Sequence, residues 1–430
     1  MLRRDPKSKL SRKVAFASFI GTTIEWYDFF LYGTASALVF NKLFFPKFDP
    51  IAGTMAAYAI YAVGFFARPL GGLVFGHFGD RVSRKDMLVV TLTIMGLSTF
   101  LIGVLPTYHT IGIFAPILLL ILRFCQGLGV GGEWGGAILM AAEHSRLKER
   151  GFYASWPNAG APVGLILSTL IFILFSSLPE EQFLTWGWRV PFILGICLVG
   201  VGLIIRLRLL ESPIFRNLKQ KKRRSRLPAL EVARKSTKNF LLAIGSRFVE
   251  SASYYLYSVF VISYATYQLH LSKNIILSGI VIASVVEAFT IPLFGNWSDR
   301  IGRRPVYLFG AILSGLFAFP FFWLLQTQFT LLIWFALVFG LGICHGAMHG
   351  PQGAFFSELF KTRIRYSGAS LAYQLSSALS GGLAPLIATA LVRWSDGSSW
   401  PVSVYIIIMA IITIVSVFLA SETFRKDISV

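Results

Sequence analysis

Apolar residues along this chain run on without interruption for the length of a bilayer crossing, then break at short charged segments. A crossing needs about 20 largely apolar residues. Twelve such runs are drawn, at 14–40, 51–76, 87–106, 112–142, 151–177, 188–209, 239–267, 274–297, 305–326, 330–356, 367–392 and 401–420. Each is predicted to be helical, because an isolated strand in lipid leaves its backbone N–H and C=O groups unsatisfied. The expected fold class is an all-α membrane protein. The polar breaks alternate in charge. One set is basic: the N-terminus (Arg3, Arg4, Lys7, Lys9, Arg12, Lys13), 76–85, 146–150, 206–238, 295–304 and 361–365. The opposite set is short or carries Asp49, Glu180, Glu181 and Asp396. Excess Lys and Arg marks the cytoplasmic side, which puts both termini inside.

A charged segment occurs twice. Gly76, His77, Phe78, Gly79, Asp80, Arg81, Val82, Ser83, Arg84, Lys85 is matched by Gly295, Asn296, Trp297, Ser298, Asp299, Arg300, Ile301, Gly302, Arg303, Arg304. A second correspondence sets Gly131, Gly135, Glu143 and Arg150 against Gly346, Gly350, Glu358 and Arg365 at a constant offset of 215 residues. The chain therefore reads as two homologous membrane halves. The expected division is a cytoplasmic N-terminus (1–13), a six-helix half (14–209), a basic linker (210–238), a second six-helix half (239–420) and a cytoplasmic tail (421–430). Small residues four apart let helices approach closely, so the paired glycines are packing residues that also sit where two halves would rock.

Composition supports the membrane reading: 55% of residues are apolar and only 14% charged, more apolar surface than one water-soluble core would bury. The net charge of +20 is accounted for by the basic loops, so nucleic acid is not an expected partner. The stretch 216–226 reads as a solvated topogenic loop, with anionic lipid headgroups as a further partner. Cys125, Cys197 and Cys344 lie far apart inside apolar runs, without metal-ligand spacing, and read as packing residues. No cleavable leader is expected, because 1–13 is charged and the run after it is long enough to span and stay.

These motifs resemble the major facilitator superfamily and, within it, the metabolite:proton symporter family, most closely its shikimate-permease-like members. The repeated segment is similar to the superfamily's Gly-x-x-x-Asp-Arg-x-Gly-Arg-Arg signature. The second copy meets it fully at Gly295, Asp299, Arg300, Gly302, Arg303 and Arg304; the first departs at Ser83, where glycine is usual. Arg123-Phe124-Cys125-Gln126-Gly127 is similar to its Arg-x-x-Gln-Gly element. The narrower likeness rests on Glu25-Trp26-Tyr27-Asp28-Phe29, Arg68-Pro69-Leu70-Gly71-Gly72, Gly131-Gly132-Glu133-Trp134-Gly135-Gly136 and Arg365-Tyr366-Ser367-Gly368. The resemblance implies the major facilitator fold, twelve transmembrane helices in two pseudo-symmetric six-helix halves, in a bacterial inner membrane. It leaves the substrate open among shikimate, α-ketoglutarate, citrate, and proline or betaine.

Charges placed where lipid would penalise them carry the candidate chemistry. A charge at mid-bilayer costs several kcal/mol, so such residues usually face a cavity and pair. Here they are Glu25, Asp28, Arg68, Arg123, Glu133, Arg247, Glu250 and Glu287, with His345 and His349 as titratable neighbours. Glu25 and Asp28, three apart, share a helix face with Tyr32 a turn along. Two carboxylates this close resist joint ionisation, so Asp28 is a candidate proton site or else half of a structural ion pair. Arg123 keeps its charge and is either an anion ligand or a carboxylate's permanent partner; the resemblance implies proton coupling there, with Asp28 or Glu133 as partner. Glu133 lies about 15 Å further along the helix and reads as serving the cytoplasmic side of a cavity. Arg247 and Glu250 either neutralise each other or release Arg247 to an anionic substrate. His345 and His349, one turn apart, are proton shuttles or helix-packing residues. A metal site on that pair is not expected, for want of a third ligand at useful spacing.

Trp26, Tyr27, Trp156, Tyr254, Tyr255, Tyr257 and Tyr373 are candidate cavity aromatics. Trp156 leads because Pro157 and Asn158 follow it and proline frees backbone acceptors. The substrate-binding set is thus Arg123, Trp156, Asn158, Arg247, Glu250, Tyr254 and Tyr373. Gating is assigned to Gly76, Asp80, Arg81 and Arg84, and to Asp299, Arg300 and Arg303, where an aspartate ending one helix can hold a neighbouring helix N-terminus and a basic side chain. The reading is a monomeric symporter taking up a small polar metabolite, most simply a carboxylate, with protons, and with no cofactor. A zwitterionic osmolyte, a proton-driven exporter and a non-transporting nutrient sensor are the alternatives. No nucleophile-base set, phosphate loop or metal cluster marks an enzyme.

Overall fold

The computed structural model describes residues 6–81, 84–131, 133–208, 236–361 and 364–424, with side chains described for 12, 14–75, 89–131, 133–204, 236–361 and 364–424. Most of the expected 210–238 linker and the chain ends fall outside these. The fold is twelve transmembrane helices in two pseudo-symmetric halves. The first half comprises α1 (Pro6–Ala35), α2 (Pro50–Arg81), α3 (Arg84–Val104), α4 (Phe114–Val130 and Glu133–Glu143), α5 (Arg150–Ser176) and α6 (Arg189–Arg208). The second comprises α7 (Thr237–Ser246 and Phe248–Tyr255), α8 (Lys273–Ile301), α9 (Arg303–Gln326), α10 (Thr330–Leu337 and Gly346–Leu359), α11 (Arg365–Ser376 and Ala384–Trp394) and α12 (Trp400–Leu419).

Among the described residues, nine helical stretches are long and apolar enough to cross a membrane. Of the other three crossings, α1 carries Glu25 and Asp28 and α7 is interrupted at Arg247, while the side chains described for α3 begin at Val89, within an apolar stretch Val89–Val104. Phe289, Leu316, Leu174 and Phe418 are largely exposed on the outer surface, which suits contact with acyl chains and not with water.

Helix pairings in the first half recur six helices later. The α1–α5, α2–α4 and α3–α6 contacts correspond to α7–α11, α8–α10 and α9–α12, and the halves meet through α5–α8 and the symmetry-related α2–α11. Close approach is built on glycine: a Cβ on Gly71 would overlap the Leu128 carbonyl and one on Gly131 the Arg68 carbonyl, so the α2–α4 crossing tolerates no side chain there. Gly302 holds φ at 109° between α8 and α9, in the left-handed region open to glycine, which explains that position of the repeated motif. The backbone N–H groups that open α9, of Arg303 and Arg304, donate to Glu422 at 3.0 Å each, so the segment after α12 neutralises that helix end.

Among the described residues five crossings contain π-helical segments: Ser36–Phe40 after α1, Phe183–Gly187 before α6, Leu256–Phe260 and Tyr264–Gln268 after α7, Val338–His345 within α10 and Ser377–Gly382 within α11. Such bulges concentrate at functional sites. Three of these segments contain or adjoin side chains of the centre.

Candidate functional site

The centre of the molecule holds a narrow cavity of about 10 Å³, room for roughly one water, bounded by Trp26, Ala161, Arg247, Glu250, Ser251, Tyr254, Tyr255, His345, His349 and Tyr373. All ten are buried. Two come from the first half and eight from the second, so the cavity lies between the halves.

Its floor is a connected set of charges. Arg247 Nε donates to Glu250 Oε2 at 2.8 Å, and Nη1 donates to the Tyr373 carbonyl at 2.8 Å and to Ser377 Oγ at 2.6 Å. The guanidinium lies 3.6 Å from the Tyr373 ring centroid, and Trp134 from the other half stacks on that ring at 3.6 Å. The remaining oxygen of Glu250, Oε1, is 3.1 Å from His345 Nε2 and 2.8 Å from His349 Nδ1, the latter close enough for an ion pair but angled away from hydrogen-bond geometry. His345 Nδ1 meets Glu287 Oε1 at 2.5 Å. The hydroxyls of Ser251, Tyr254 and Tyr373 have no hydrogen-bond partner, so polar groups line the cavity with bonding capacity to spare.

The first half adds a second buried set. Asp28 is 1% exposed, and neither carboxyl oxygen has a hydrogen-bond partner; Oδ1 faces Gly195 on α6, 3.0 Å from where a Cβ would stand. The guanidiniums of Arg68 and Arg123 each lie 4.1 Å from the Phe29 ring centroid. Arg123 donates to Gln126 Oε1 at 2.5 Å and to the Tyr61 carbonyl at 3.4 Å, leaving Nη2 unbonded; Arg68 has Nε and Nη2 unbonded. The expected pairing of Arg123 with Asp28 or Glu133 is therefore absent from this conformation. Gln126, three residues along the same helix, occupies the guanidinium, and Glu133 accepts from Thr91 Oγ1 at 2.9 Å. Glu25 is buried one residue before Trp26.

Both ends of the cavity are closed by bonds between halves. At the end carrying the repeated loops, Asp299 accepts from the backbone N–H of Gly151 (2.8 Å) and Phe152 (2.9 Å) in the first turn of α5, and from Arg303 Nη1 at 2.7 Å. Arg303 reaches Glu358 at 3.2 Å, and Glu358 pairs with Arg150 at 2.9 Å. At the opposite end Asn41 Nδ2 donates to Tyr267 Oη at 3.0 Å, Tyr58 Oη bonds Ser263 Oγ at 3.0 Å, and Arg393 and Asp49 approach to 3.5 Å. Between them Asn158 Nδ2 donates to the His349 carbonyl at 2.8 Å while its Oδ1 accepts from Trp134 Nε1. The conformation is occluded.

Of the sequence candidates, Arg247, Glu250, Tyr254 and Tyr373 meet at the cavity. Asn158 bridges the halves beside it. Trp156 does not line it: the side chain is half-buried against Phe152, 5.9 Å between ring centroids, because the helix turns its face away two residues before Asn158. Arg300 is exposed, in an outer groove with Leu293, Asn296 and Trp297. The side chains of Gly76, Asp80, Arg81 and Arg84 fall outside the described residues. The third group missing from the histidine pair is Glu250: its oxygen and the two imidazoles present donor atoms within 4.8 Å of one another. Spacing hid it because it comes from α7, 95 residues away from His345. Sequence reasoning also missed Ser251 and Ala161, whose types carry no distinguishing signal. It missed Trp134 as the ring that backs Tyr373, although Trp134 stands inside the motif beside Glu133.

Comparison with known proteins agrees with this architecture. Residues 13–235 match the sugar (and other) transporter family and residues 242–427 the major facilitator superfamily. The chain is 41% identical to the shikimate transporter of Escherichia coli K12 over 96% of its own length and 95% of that protein's. It is 36% identical to the proline/betaine transporter of the same strain over 97% of its length and 85% of the relative's. Its fold is similar to that of the proton:xylose symporter XylE, with a TM-score of 0.74 at 18% identity, covering 98% of each chain. The chain is a multi-pass membrane transporter, not an enzyme, and belongs to the major facilitator superfamily.

Proposed function

We propose that this transporter couples proton entry to the uptake of a small organic carboxylate bearing hydroxyl groups, by alternating access, in the bacterial inner membrane, as a monomer with both termini and the basic loops in the cytoplasm. The observation that carries this reading is the set of opposites in the closed centre: a buried carboxyl, Asp28, without a basic partner, and guanidiniums, Arg68 and Arg123, with unsatisfied donors. Burying a carboxylate without a cation beside it costs several kcal/mol, which suits Asp28 to carrying a proton across. Arginine cannot shed its proton, so its free N–H groups call for an anion. Arg247 is the carboxylate ligand at the cavity, Arg123, outside its lining here, is a second one reached when the halves part, and Tyr254, Tyr373 and Ser251 answer the solute's hydroxyls. Glu25 and Glu133 support the proton path on the first half. In this closed conformation the cavity has room for about one water, so the solute is admitted only when the halves part.

The halves 14–209 and 239–420 rock about the cavity, joined by the basic 210–238 linker, which also meets anionic lipid headgroups. Asp299 and Arg303, with Gly76, Asp80, Arg81 and Arg84 in the first copy, form the cytoplasmic gate, and Arg300 lies outside it in the outer groove. The aromatic lining of Trp26, Tyr254, Tyr255 and Tyr373 favours one competing reading, a zwitterion whose ammonium group rests on those rings. Uptake of labelled shikimate, α-ketoglutarate, citrate, proline and betaine into proteoliposomes with an inward proton gradient decides between them. Gradient-driven accumulation of a hydroxylated carboxylate supports the proposal. Accumulation of betaine alone supports the zwitterion, outward accumulation an exporter, and binding without movement a sensor.

A further inference from the structure

The two ring nitrogens of His345 both face carboxyl oxygens, Nδ1 toward Glu287 at 2.5 Å and Nε2 toward Glu250 at 3.1 Å. A neutral imidazole has one N–H and can satisfy only one such contact. The second requires another proton, as imidazolium or as a carboxyl O–H. Charge leads to the same count: Arg247 balances Glu250, and Glu287, fully buried with Oε2 unbonded, is a second negative charge unless a proton accompanies it. We infer that Glu287 and His345 hold a transported proton in the second half, separate from that on Asp28, so that two protons accompany each substrate. This rests on the symport reading above.

The geometry links that proton to the substrate. The groups that face the cluster are Arg247, Glu250 and Tyr254 on α7, Glu287 on α8, Tyr307 on α9, His345 and His349 on α10 and Tyr373 on α11. Glu25 on α1 and Arg68 on α2 act on Tyr373 from the other half. With the proton present, Glu250 is shared between Arg247 and the imidazolium, which loosens Arg247 for an incoming carboxylate. When the proton leaves to water on the inner side, the N–H to Glu287 remains, Nε2 turns a lone pair toward Glu250, and Glu250 reverts to Arg247 and displaces the substrate.

The test is the proton-to-substrate ratio in proteoliposomes, from the substrate gradient at which net flux stops under an imposed pH difference. The wild type is expected to give two, and Glu287→Gln and His345→Gln one, so that accumulation per unit of pH falls about tenfold while substrate counterflow stays measurable. A wild-type ratio of one overturns the inference without need of a variant, and so does an unchanged ratio in a variant that transports. Counterflow and binding both lost in folded variants make the pair a substrate ligand and overturn it too. If the wild type moves substrate with no linked proton, the symport reading itself fails.

Discussion

Arg247 and Glu250 show how far residue-scale reading reaches. Three apart on one helix, they are neighbours by geometry alone, and they pair at 2.8 Å. The same reading does not reach Glu287 and His345, 58 residues apart, because no local rule joins two helices. Arg247 makes its contacts as a planar fork, and lysine offers no fork. With each hydrogen bond to a charged group worth about 1.5–3 kcal/mol, Arg247→Lys is expected to weaken apparent substrate affinity about ten- to a hundredfold, as read by initial uptake at graded substrate concentrations. Asp49 behaves differently. Outside the crossings, it is held below its ordinary range by the Ala52 N–H and then by Arg393. A carboxylate with a lowered folded-state value keeps its stabilising contacts above its unfolded value of about 3.9 and loses them only in acid. Asp49→Asn should therefore leave the pH profile of uptake between pH 5 and 8 unchanged, with a shifted profile contradicting this.

At the scale of elements, all twelve crossings were legible because hydropathy is a one-dimensional signal with a fixed length requirement. Their faces were less so. The π segments Val338–His345 and Ser377–Gly382 break the 3.6-residue register that face assignments assume, and they bring His345 and Ser377 to Arg247 and Glu250. Trp156 was displaced by the opposite error, a proline read as opening a cavity on the helix face that carries Trp156, whereas α5 meets the cavity through Ala161. The α8 end is the element most open to test. Asp299 holds two N–H groups of α5 across the halves, and a neutral amide offers one acceptor oxygen in place of two charged ones. Asp299→Asn should shift the population toward the inward-open form by about tenfold or more, given about 1.5–3 kcal/mol per charge-assisted bond. Distances between spin labels on α5 and α8 at that end read the shift; an unchanged distribution would remove Asp299 from the gate.

For the whole molecule, the duplication announced two halves, and the pairings that recur six helices apart are its physical expression. Occlusion was not legible, since it depends on bonds between halves at both ends at once. Neither was the division of labour it exposes, with an isolated carboxyl and unsatisfied guanidiniums in one half and a closed charge network in the other. That division is the basis of the central claim, that substrate and proton cross together. The most direct test loads proteoliposomes with a pH-sensitive dye and adds substrate outside in the absence of any imposed gradient. Proton-coupled uptake predicts internal acidification that follows substrate entry and that, per substrate moved, falls by about half in Asp28→Asn. Substrate entry with no acidification in the wild type would contradict it.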